Sequence, residues 1–440
     1  MDNTNNIGTL LNWLNESTCN FLAVKTITSE LDKVGFSPLR QCDSWKILPG
    51  GKYYMVKNDS AVFAFIAGTE NPADNGFHII SAHSDSPCFK VKPNAEIYGD
   101  GGVVSLNVEK YGGGILYTWF DRPLSMSGRV MIGSGDPIHP KSLIFDLKKP
   151  VATIPHLAIH FNRAVNEGNK LSVQDDMKPV IGYFSAEEIE NAKKNGGSVK
   201  AMVAEHLGIK PKDIIDYEIC LYPCEKAAQC GAHGEYFQSG RIDDLSMAFA
   251  GLEAMLNAAS TTSKSTRVLA IFDNEETGSG TKQGAHSPVL RDLMQRIVAS
   301  YSDSATDNFF RSIANSFMIS ADDAHAWHPN YNKKYDPTNH PVIGGGPAIK
   351  INANCKYMTD ANGAAVFHNL CEMAGVKCQT FVNHSDVAGG STLGNILTGQ
   401  MDLAGVDMGA PIWAMHSARE TAGVADHIMT VKVFTEFYHL

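Results

Sequence analysis

The sequence predicts an α/β fold in which a mixed, largely parallel sheet is flanked by helices and a second, β-rich domain is inserted. Short apolar runs of strand length alternate with segments of helical pattern, which is typical of parallel sheets. Between about residues 91 and 238 the pattern changes to many short β-type runs separated by glycine turns. The 440 residues also exceed the usual size of one core. We assign 1–92 and 239–440 to the main domain and 93–238 to the insertion.

The elements follow from hydrophobic spacing. Apolar residues recur at helical spacing from about residue 7 to 34, which predicts a helical start. The insertion carries one basic segment of helical pattern, at 186–210. Further helices are expected at 244–259, 288–300 and 361–374. Short apolar runs predict buried strands at 61–67, 78–82, 268–272, 316–320, 379–382 and 412–415.

Composition excludes several classes of function. The net charge is −10 and no stripe of Lys or Arg is present, which argues against nucleic acid as a partner. No apolar run could span a bilayer, and the first residues lack a signal-peptide pattern. Nine scattered cysteines favour reduced thiols and a cytoplasmic location. Cys220, Cys224 and Cys230 lack the paired spacing of a structural zinc site.

Polar residues that can bind metals follow six of the strand-like runs. In open α/β sheets, ligands bind beyond the carboxyl ends of the strands, so we expect these side chains to form a site. Imidazoles together with carboxylates suit zinc or another first-row divalent ion, and the set is large enough for two ions with a bridging carboxylate. The residues are His83 and Asp85; Asp243 and Asp244; Asp273 to Glu276; Asp322, Asp323 and His325; His384 and Asp386; and His416.

Two adjacent glutamates, Glu275 and Glu276, follow the run 268–272. One can bind metal while its neighbour takes a proton from water, because a metal ion brings the pKa of a bound water toward neutrality. Asp85, two residues after His83, is expected to accept a hydrogen bond from the far nitrogen of that ring. A turn aspartate beside a surface histidine is the alternative for this pair.

Long motifs occur in order along nearly the whole chain: SAHSDSPCFKVKP (81–93), EKYGGGILYTWFDRPLSMSGRV (109–130), IPHLAIHFNRAVNE (154–167), GRIDDLS (240–246), FDNEETGS (272–279), ISADDAHAWHPNY (319–331), GPAIKINANCKY (346–357) and MHSARE (415–420). In these motifs the chain resembles the M18 metallopeptidases, the aspartyl aminopeptidase family. The resemblance implies a fold of the zinc-peptidase type and two divalent metal ions, zinc before manganese or cobalt.

The resemblance also implies a role for each matching position. Asp243 would bridge the two ions, and the peptide bond to Asp244 is often cis in the family. Glu275 would be the general base. The implied metal ligands are His83, Asp243, Glu276, Asp322 and His416, and the implied substrate contacts are His160, His325, Lys350 and Tyr357.

The function expected from this resemblance is removal of N-terminal amino acids, preferentially Asp or Glu, from short peptides. Lys350 would bind the acidic side chain, and His160 or His325 would help stabilise the oxyanion. The insertion would mediate dimerisation and carry its histidine to a neighbouring subunit. Dimers would assemble into a tetrahedral dodecamer that excludes large peptides.

Two other functions are compatible with the residues. A two-metal amidohydrolase acting on small N-acyl amino acids would use the same ligands, and substrate panels would separate it from a peptidase. A non-catalytic assembly or cargo protein would be expected to have lost ligands, and every expected ligand is present. His384 and Asp386 lie in a loop that matches the family loosely, and we interpret them as polar loop residues.

Overall fold

The computed structural model describes residues 7–301 and 304–440. They form two compact units. The main unit comprises the chain up to Asp85, Ala227–Met415 and Glu420–Leu440. The inserted unit comprises Ser86–Lys226 and the short segment His416–Arg419.

The strands of the described residues are β1 (Ser37–Leu39), β2 (Lys52–Lys57), β3 (Ala61–Ile66), β4 (Phe77–His83), β5 (Cys88–Tyr98), β6 (Val103–Tyr111), β7 (Leu124–Ile132), β8 (Lys141–Asp146), β9 (Val180–Tyr183), β10 (Ile214–Pro223), β11 (Ala228–Cys230), β12 (Tyr236–Ser239), β13 (Thr266–Phe272), β14 (Phe317–Ala321), β15 (Ala324–His325), β16 (Ala348–Ile351), β17 (Gln379–Val382), β18 (Ala404–Gly409), β19 (Pro411–Trp413) and β20 (Glu420–Gly423).

The α-helices of the same ranges are α1 (Ile7–Glu16), α2 (Asn20–Lys33), α3 (Pro72–Asn75), α4 (Val173–Asp176), α5 (Ala186–Lys194), α6 (Ser198–Leu207), α7 (Ile242–Ala258), α8 (Val289–Ala299), α9 (Ala305–Ala314), α10 (Ala361–Met373), α11 (Leu393–Thr398) and α12 (Val424–His439). Among the described residues, none of the helices combines the length and the apolar character that crossing a bilayer requires.

The main unit is built on a nine-stranded sheet with the order β1-β2-β3-β13-β4-β14-β18-β16-β17. Its central strands β13, β4, β14 and β18 are parallel to one another. Strand β16 runs antiparallel to β18, and β17 is parallel to β16. The carboxyl ends of β13, β4 and β14 therefore meet at one edge of the sheet, while β17 ends at the opposite edge.

Both faces of the central strands are covered. Leu269 and Ile271 of β13 belong to one core, together with residues of α7 and α12. Val268 and Ala270 belong to a second core on the other face, together with residues of α8. Every residue of β13 is buried. A strand buried on both faces is apolar without interruption, which is why the sequence shows a continuous run there.

A second sheet of the main unit has the order β11-β12-β20-β19-β15. Ser239 at the end of β12 pairs with Glu420 at the start of β20. The segment that leads into α7 therefore starts beside Glu420. In this way the small sheet positions the first residues of α7.

The inserted unit is organised around a six-stranded antiparallel sheet with the order β8-β7-β10-β5-β6-β9. Phe89, Leu106, Met126 and Ile219 lie in its own hydrophobic core. Val203 of α6 packs into the same core. This unit therefore has a core separate from those of the large sheet.

The predicted fold class is confirmed. The predicted strands lie within two residues of β3, β4, β13, β14, β17 and β19. The helical start expected at about 7–34 consists of two helices, α1 and α2. They are separated at Ser17 and Thr18, residue types that favour caps and turns over helix interiors.

The unit boundaries also differ from the predicted insertion 93–238. In the structure the inserted unit begins at Ser86, and the chain returns to the main unit at Ala227. Strands β11 and β12 belong to the small sheet of the main unit, where β12 pairs with β20. The sequence has β-type patterning on both sides of residue 227, so no change of pattern marks this boundary.

Candidate metal centre

Three neighbouring parallel strands bring polar residues to one edge of the large sheet. His83 is the last residue of β4, and it pairs with Phe272, the last residue of β13. Glu275 and Glu276 follow β13 after a short turn. Asp322 follows β14 directly. Parallel strands that end together place these side chains in one region.

His83 is nearly fully buried, with 1 % of its surface exposed. Its Nδ1 lies 3.0 Å from the carbonyl oxygen of Asp85 and 3.4 Å from Asp85 Oδ1. Its Nε2 lies 3.6 Å from Asp243 Oδ1. An N–H at Nδ1 that donates to Asp85 leaves a lone pair on Nε2, which is the form that binds metals. The backbone carbonyl of Asp85, and not its carboxylate, is the nearer acceptor.

Four residues fit a bound cation. His83, Asp243, Asp244 and Asp322 each place one ligand atom within 4.8 Å of the others. A carboxylate oxygen of Asp243 also lies within 4.8 Å of one of Glu276. One imidazole with several carboxylates is a donor set that suits zinc. The sequence analysis named Asp244 among the polar residues after the strands but gave it no ligand role. Its Oδ2 accepts the backbone N–H of His83 at 3.0 Å.

The charges of this cluster favour a cation as well. Burial raises the pKa of Asp244 well above its usual range, and the nearby carboxylates of Asp322, Asp323 and Asp243 add to the effect. Burial lowers the pKa of His83, but the surrounding carboxylates reverse this and raise it well above its usual value. Asp244 Oδ1 is buried and has no hydrogen-bond partner among the described residues. Several buried carboxylates at one place need positive charge, which a divalent ion supplies.

The two adjacent glutamates are held by one residue. Asp85 Oδ1 accepts the backbone N–H of Glu275 at 3.1 Å, and Asp85 Oδ2 accepts that of Glu276 at 3.2 Å. Burial raises the pKa of Glu275 to about 7. A carboxylate with a pKa near neutrality can accept a proton and return it at physiological pH. The side chain that contacts His83 thus also fixes the turn of both glutamates.

The same turn is held from its other side. Asn20 Nδ2 donates to both oxygens of Asp273 at 3.1 Å. Asn274 has a φ of 63°, and its Oδ1 accepts hydrogen bonds from Thr281 and from Gln283. Asparagine tolerates this left-handed conformation better than most residues. These contacts fix the backbone just before Glu275 and Glu276.

Glu420 holds the backbone around Asp243. Its Oε2 accepts the N–H of Ile242 at 2.6 Å and that of Asp243 at 3.3 Å. Arg241 has a φ of 63°, and the peptide bond between Asp243 and Asp244 is cis. Sequence reasoning did not single out Glu420, although it ends the MHSARE motif.

Lys350 lies on β16 and is 4 % exposed, so it is not a surface lysine. Its Nζ is 3.3 Å from Asp322 Oδ1 and 5.8 Å from the centre of the Tyr357 ring. Burial lowers the pKa of Lys350, but Asp322 and other nearby acidic groups more than offset this and raise it. The ammonium is therefore charged at neutral pH and lies beside the candidate metal cluster.

Tyr357 and His325 lie in the same part of the main unit. Tyr357 packs with Ala324, Ala348 and Phe381 in a small apolar cluster. The ring of His325 is 5.9 Å from the ring of Phe381. His325 itself is exposed. These contacts place both predicted substrate residues next to the strand that carries Lys350.

Two predicted residues belong to the inserted unit. His160 is exposed, in a segment of this unit where Leu157, Ile159 and Phe161 are exposed as well. His416 has its Nδ1 3.3 Å from the carbonyl oxygen of Gly113. The segment Ala227–Met415 of the main unit ends directly before His416 in the sequence.

His384 and Asp386 are placed away from the cluster by strand direction. They follow β17, which ends at the edge of the sheet opposite to the carboxyl ends of β4, β13 and β14. They form a long contact with each other, with His384 Nδ1 4.0 Å from Asp386 Oδ2. Asp386 has 93 % of its side chain exposed. Both are polar loop residues in the structure.

The geometry can be compared with known proteins. Residues 13–438 match the family described as aminopeptidase I zinc metalloprotease (M18). The chain belongs to the M18 family. It is therefore an aminopeptidase, a hydrolase that uses zinc. The region matched includes every residue that the sequence analysis proposed for the site.

Relatives and solved structures agree with M18 membership. The chain is 46 % identical to a probable M18 family aminopeptidase 2 of Clostridium novyi and 44 % identical to one of Clostridium acetobutylicum, over 98 % of each protein. Among solved structures, Ape4 in a complex with Nbr1 matches with a TM-score of 0.93 and 34 % identity, covering 98 % of this chain and 84 % of that one. The S. cerevisiae mApe1 dodecamer matches with a TM-score of 0.87 and 25 % identity, over 100 % and 97 %.

Proposed function

We propose that this M18 enzyme is a two-metal aminopeptidase that removes N-terminal Asp or Glu from short peptides. The observation that carries the acidic preference is the buried ammonium of Lys350, 3.3 Å from Asp322 in the candidate metal cluster. Burying a lysine is costly unless it is paired, so a buried charge beside a metal cluster indicates a function.

Two metal positions are proposed, and Asp243 contributes to both. The first is formed by His83, Asp243 and Asp322, which have ligand atoms within 4.8 Å of one another. For the second, Asp243 and Glu276 are within the same distance, and His416 would complete the set. Divalent ions there, zinc before manganese or cobalt, supply Lewis acidity that acidifies water and polarises a carbonyl.

Glu275 would act as the general base. Its pKa of about 7 lets it take a proton from the attacking water and later give that proton to the leaving amine. Asp85 orients it by accepting its backbone N–H. Glu276, held by the other oxygen of Asp85, stays available for metal binding. The adjacent glutamates thus have separate tasks.

Lys350 would select the N-terminal residue. An ammonium can form a charge-assisted hydrogen bond with the carboxylate of Asp or Glu, which neutral side chains cannot do. Tyr357, whose ring is 5.8 Å from Nζ, would form part of the same pocket. His325 would stabilise the oxyanion, and the exposed His160 of the inserted unit would do so in a neighbouring subunit.

We also propose a homo-oligomer. The exposed apolar side chains around His160, namely Leu157, Ile159 and Phe161, are suited to a protein interface. The S. cerevisiae mApe1 neighbour is described as a dodecamer. A tetrahedral arrangement of dimers, with the inserted unit at the dimer contact, follows from the family resemblance. A cytoplasmic location stays a prediction, and none of the nine cysteines, which all lie within the described residues, forms a disulfide.

The test is hydrolysis of Asp-, Glu-, Leu- and Lys-anilides by purified protein, before and after chelation and after restoration of zinc. The highest chelator-sensitive rate on Asp or Glu supports the proposal. A metal-dependent rate that is highest on Leu refutes the acidic preference and leaves the peptidase. Lys350→Met is the matched variant, since it keeps the length of the side chain and removes the charge. It should lower the rate on acidic substrates only.

An N-acylated amino acid belongs in the same panel. Turnover of such a compound with no turnover of the anilides would favour the amidohydrolase. Membership of the M18 family favours the aminopeptidase. The number of metal ions can be counted by elemental analysis of the restored enzyme. One ion per chain at full activity would refute the two-metal proposal.

A further inference from the structure

A second buried carboxylate lies next to Lys350. Asp407 is on β18 and is completely buried. Strands β16 and β18 are antiparallel, with Ala348 opposite Gly409 and Ile349 opposite Met408. Continuing this register by one residue sets Lys350 opposite Asp407. Residues opposite each other in neighbouring strands have side chains on the same face of the sheet.

Asp407 is held rigidly by donors from three segments. Its Oδ1 accepts the hydroxyl of Thr392 at 2.6 Å, and its Oδ2 accepts the backbone N–H of Met358 at 2.6 Å. Ser320 on β14 is a further hydrogen-bonding partner. Met358 is next in sequence to Tyr357, so the carboxylate also fixes the turn that carries this ring. The negative charge therefore has a fixed position at the pocket of Lys350.

Burial and the polar contacts of Asp407 have opposite effects on its ionisation. Burial raises the pKa of Asp407 above its usual value, and the hydrogen bonds from Ser320, Thr392 and Met358 and the charge of Lys350 limit this rise. Hydrogen-bond donors directed at a carboxylate stabilise its charge. The Asp407 carboxylate has no role in the mechanism proposed above.

We propose that Asp407 is a specificity-determining residue that sets how strictly the enzyme prefers an acidic N-terminal side chain. Its fixed negative charge offsets part of the positive potential of Lys350, so an incoming carboxylate is attracted less than by the lysine alone. Charges on neighbouring side chains interact strongly inside a protein, because screening by water is weak there. The inference rests on the proposed acidic pocket and deepens it.

The experiment compares Glu- and Gln-anilides, which have the same shape and differ in charge. The quantity measured is the ratio of kcat/KM for Glu over Gln, at constant zinc content and ionic strength. Asp407→Asn keeps the size of the side chain and removes its charge. We expect the ratio to rise by about 5- to 10-fold, mainly through a lower KM for Glu, because the potential at the pocket becomes more positive.

Thr392→Val is the control, because it removes one hydrogen bond to Asp407 but keeps the carboxylate, which still accepts from Ser320 and Met358. It should change the rates for both substrates by the same factor and leave the ratio unchanged. Asp407→Ser is a second variant for the case that Asp407→Asn does not fold, since its smaller hydroxyl can accept from the Met358 amide. The ratio should rise in this variant too.

The outcomes separate the two proposals. An unchanged or lower ratio in the Asp407 variants overturns the inference, even where both rates fall, because a purely structural role lowers both rates together. A wild-type ratio of one or less refutes the acidic preference itself. A ratio that still rises in Asp407→Asn would then show that the charge of Asp407 acts on the pocket although the wild-type enzyme is not selective.

Discussion

Asp85 Oδ1 accepts the backbone N–H of Glu275 at 3.1 Å, although the two residues are 190 positions apart in the chain. The other oxygen of Asp85 accepts the N–H of Glu276, and His83 Nδ1 is 3.4 Å from the same carboxylate. One side chain therefore determines the geometry of the proposed base, of one proposed ligand and of the turn that carries another. Its replacement should affect all three together.

Asp85→Asn should lower kcat by about 10- to 100-fold, because the amide group presents one N–H donor to a backbone N–H that needs an acceptor. The measurement is kcat and bound zinc for the purified variant. Asp386→Asn, a change of the same kind at an exposed position, should have no effect. Wild-type kcat in Asp85→Asn would show that the turn is held by other contacts.

Glu275→Gln and Glu276→Gln should separate catalysis from metal binding. Loss of the base should lower kcat by about 10²- to 10⁴-fold, while bound zinc stays at the wild-type level. Glu276→Gln should instead lower the zinc content, and added zinc should restore part of its activity. Elemental analysis measures the zinc content of both variants, and steady-state kinetics measures their kcat. If Glu275→Gln instead lost zinc and Glu276→Gln kept it, Glu275 would be the metal ligand and Glu276 the base.

Removal of metal should destabilise the protein. Without a cation, the buried carboxylates of Asp243, Asp244 and Asp322 repel one another around His83. An ion present at about 1,000 times its dissociation constant stabilises the folded state by about 4 kcal/mol. Calorimetry before and after chelation should show a lower Tm that zinc restores. An unchanged Tm after verified removal of metal would contradict this expectation.

We expect the free energy of unfolding to depend on pH through Asp426, which is not part of the metal centre. It is buried at the start of α12, where its oxygens accept the N–H groups of Gly344 and Gly346. Burial raises its pKa to about 7. The folded state therefore keeps a proton that the unfolded state loses near pH 4. The contribution of this group is complete below about pH 4 and is lost as pH rises to about 7, by about 4 kcal/mol at most.

Asp426→Asn tests this expectation, since the amide does not titrate. The variant loses one acceptor and should be less stable than the wild type at pH 5. The difference in the free energy of unfolding should shrink as pH rises from 5 to 7.5, when the wild type loses its contribution. Chemical unfolding at several pH values measures this. A difference that is constant with pH would show that Asp426 does not titrate in this range.

Much of the fold and of the site followed from the sequence. Strands β4, β13 and β14 are buried on both faces, so their apolar runs are continuous and the polar residues after them stand out. The residue types after these strands suggested a metal site, and the family resemblance assigned the individual roles. These assignments remain predictions that the variants above test.

Other features could not be predicted from the sequence. Strand β18 contains Asp407 and two glycines, so it does not form an apolar run, and the position of Asp407 opposite Lys350 was missed. The reversal of β16 and β17 depends on tertiary pairing, and it is what separates His384 from the cluster. Glu420 and Asp244 accept backbone N–H groups, and the spacing of residue types does not reveal such contacts.

The 190 positions between Asp85 and Glu275 have a consequence for protein synthesis. At about 5 to 20 residues per second, a ribosome needs about 10 to 40 s to make the chain between them. During this time β4 has left the ribosome, but its neighbour β13 does not yet exist. The segment Ser86–Lys226, which forms most of the inserted unit, is made first. The nascent enzyme thus presents an unpaired apolar strand, a natural target for chaperones, until synthesis reaches the second half of its site.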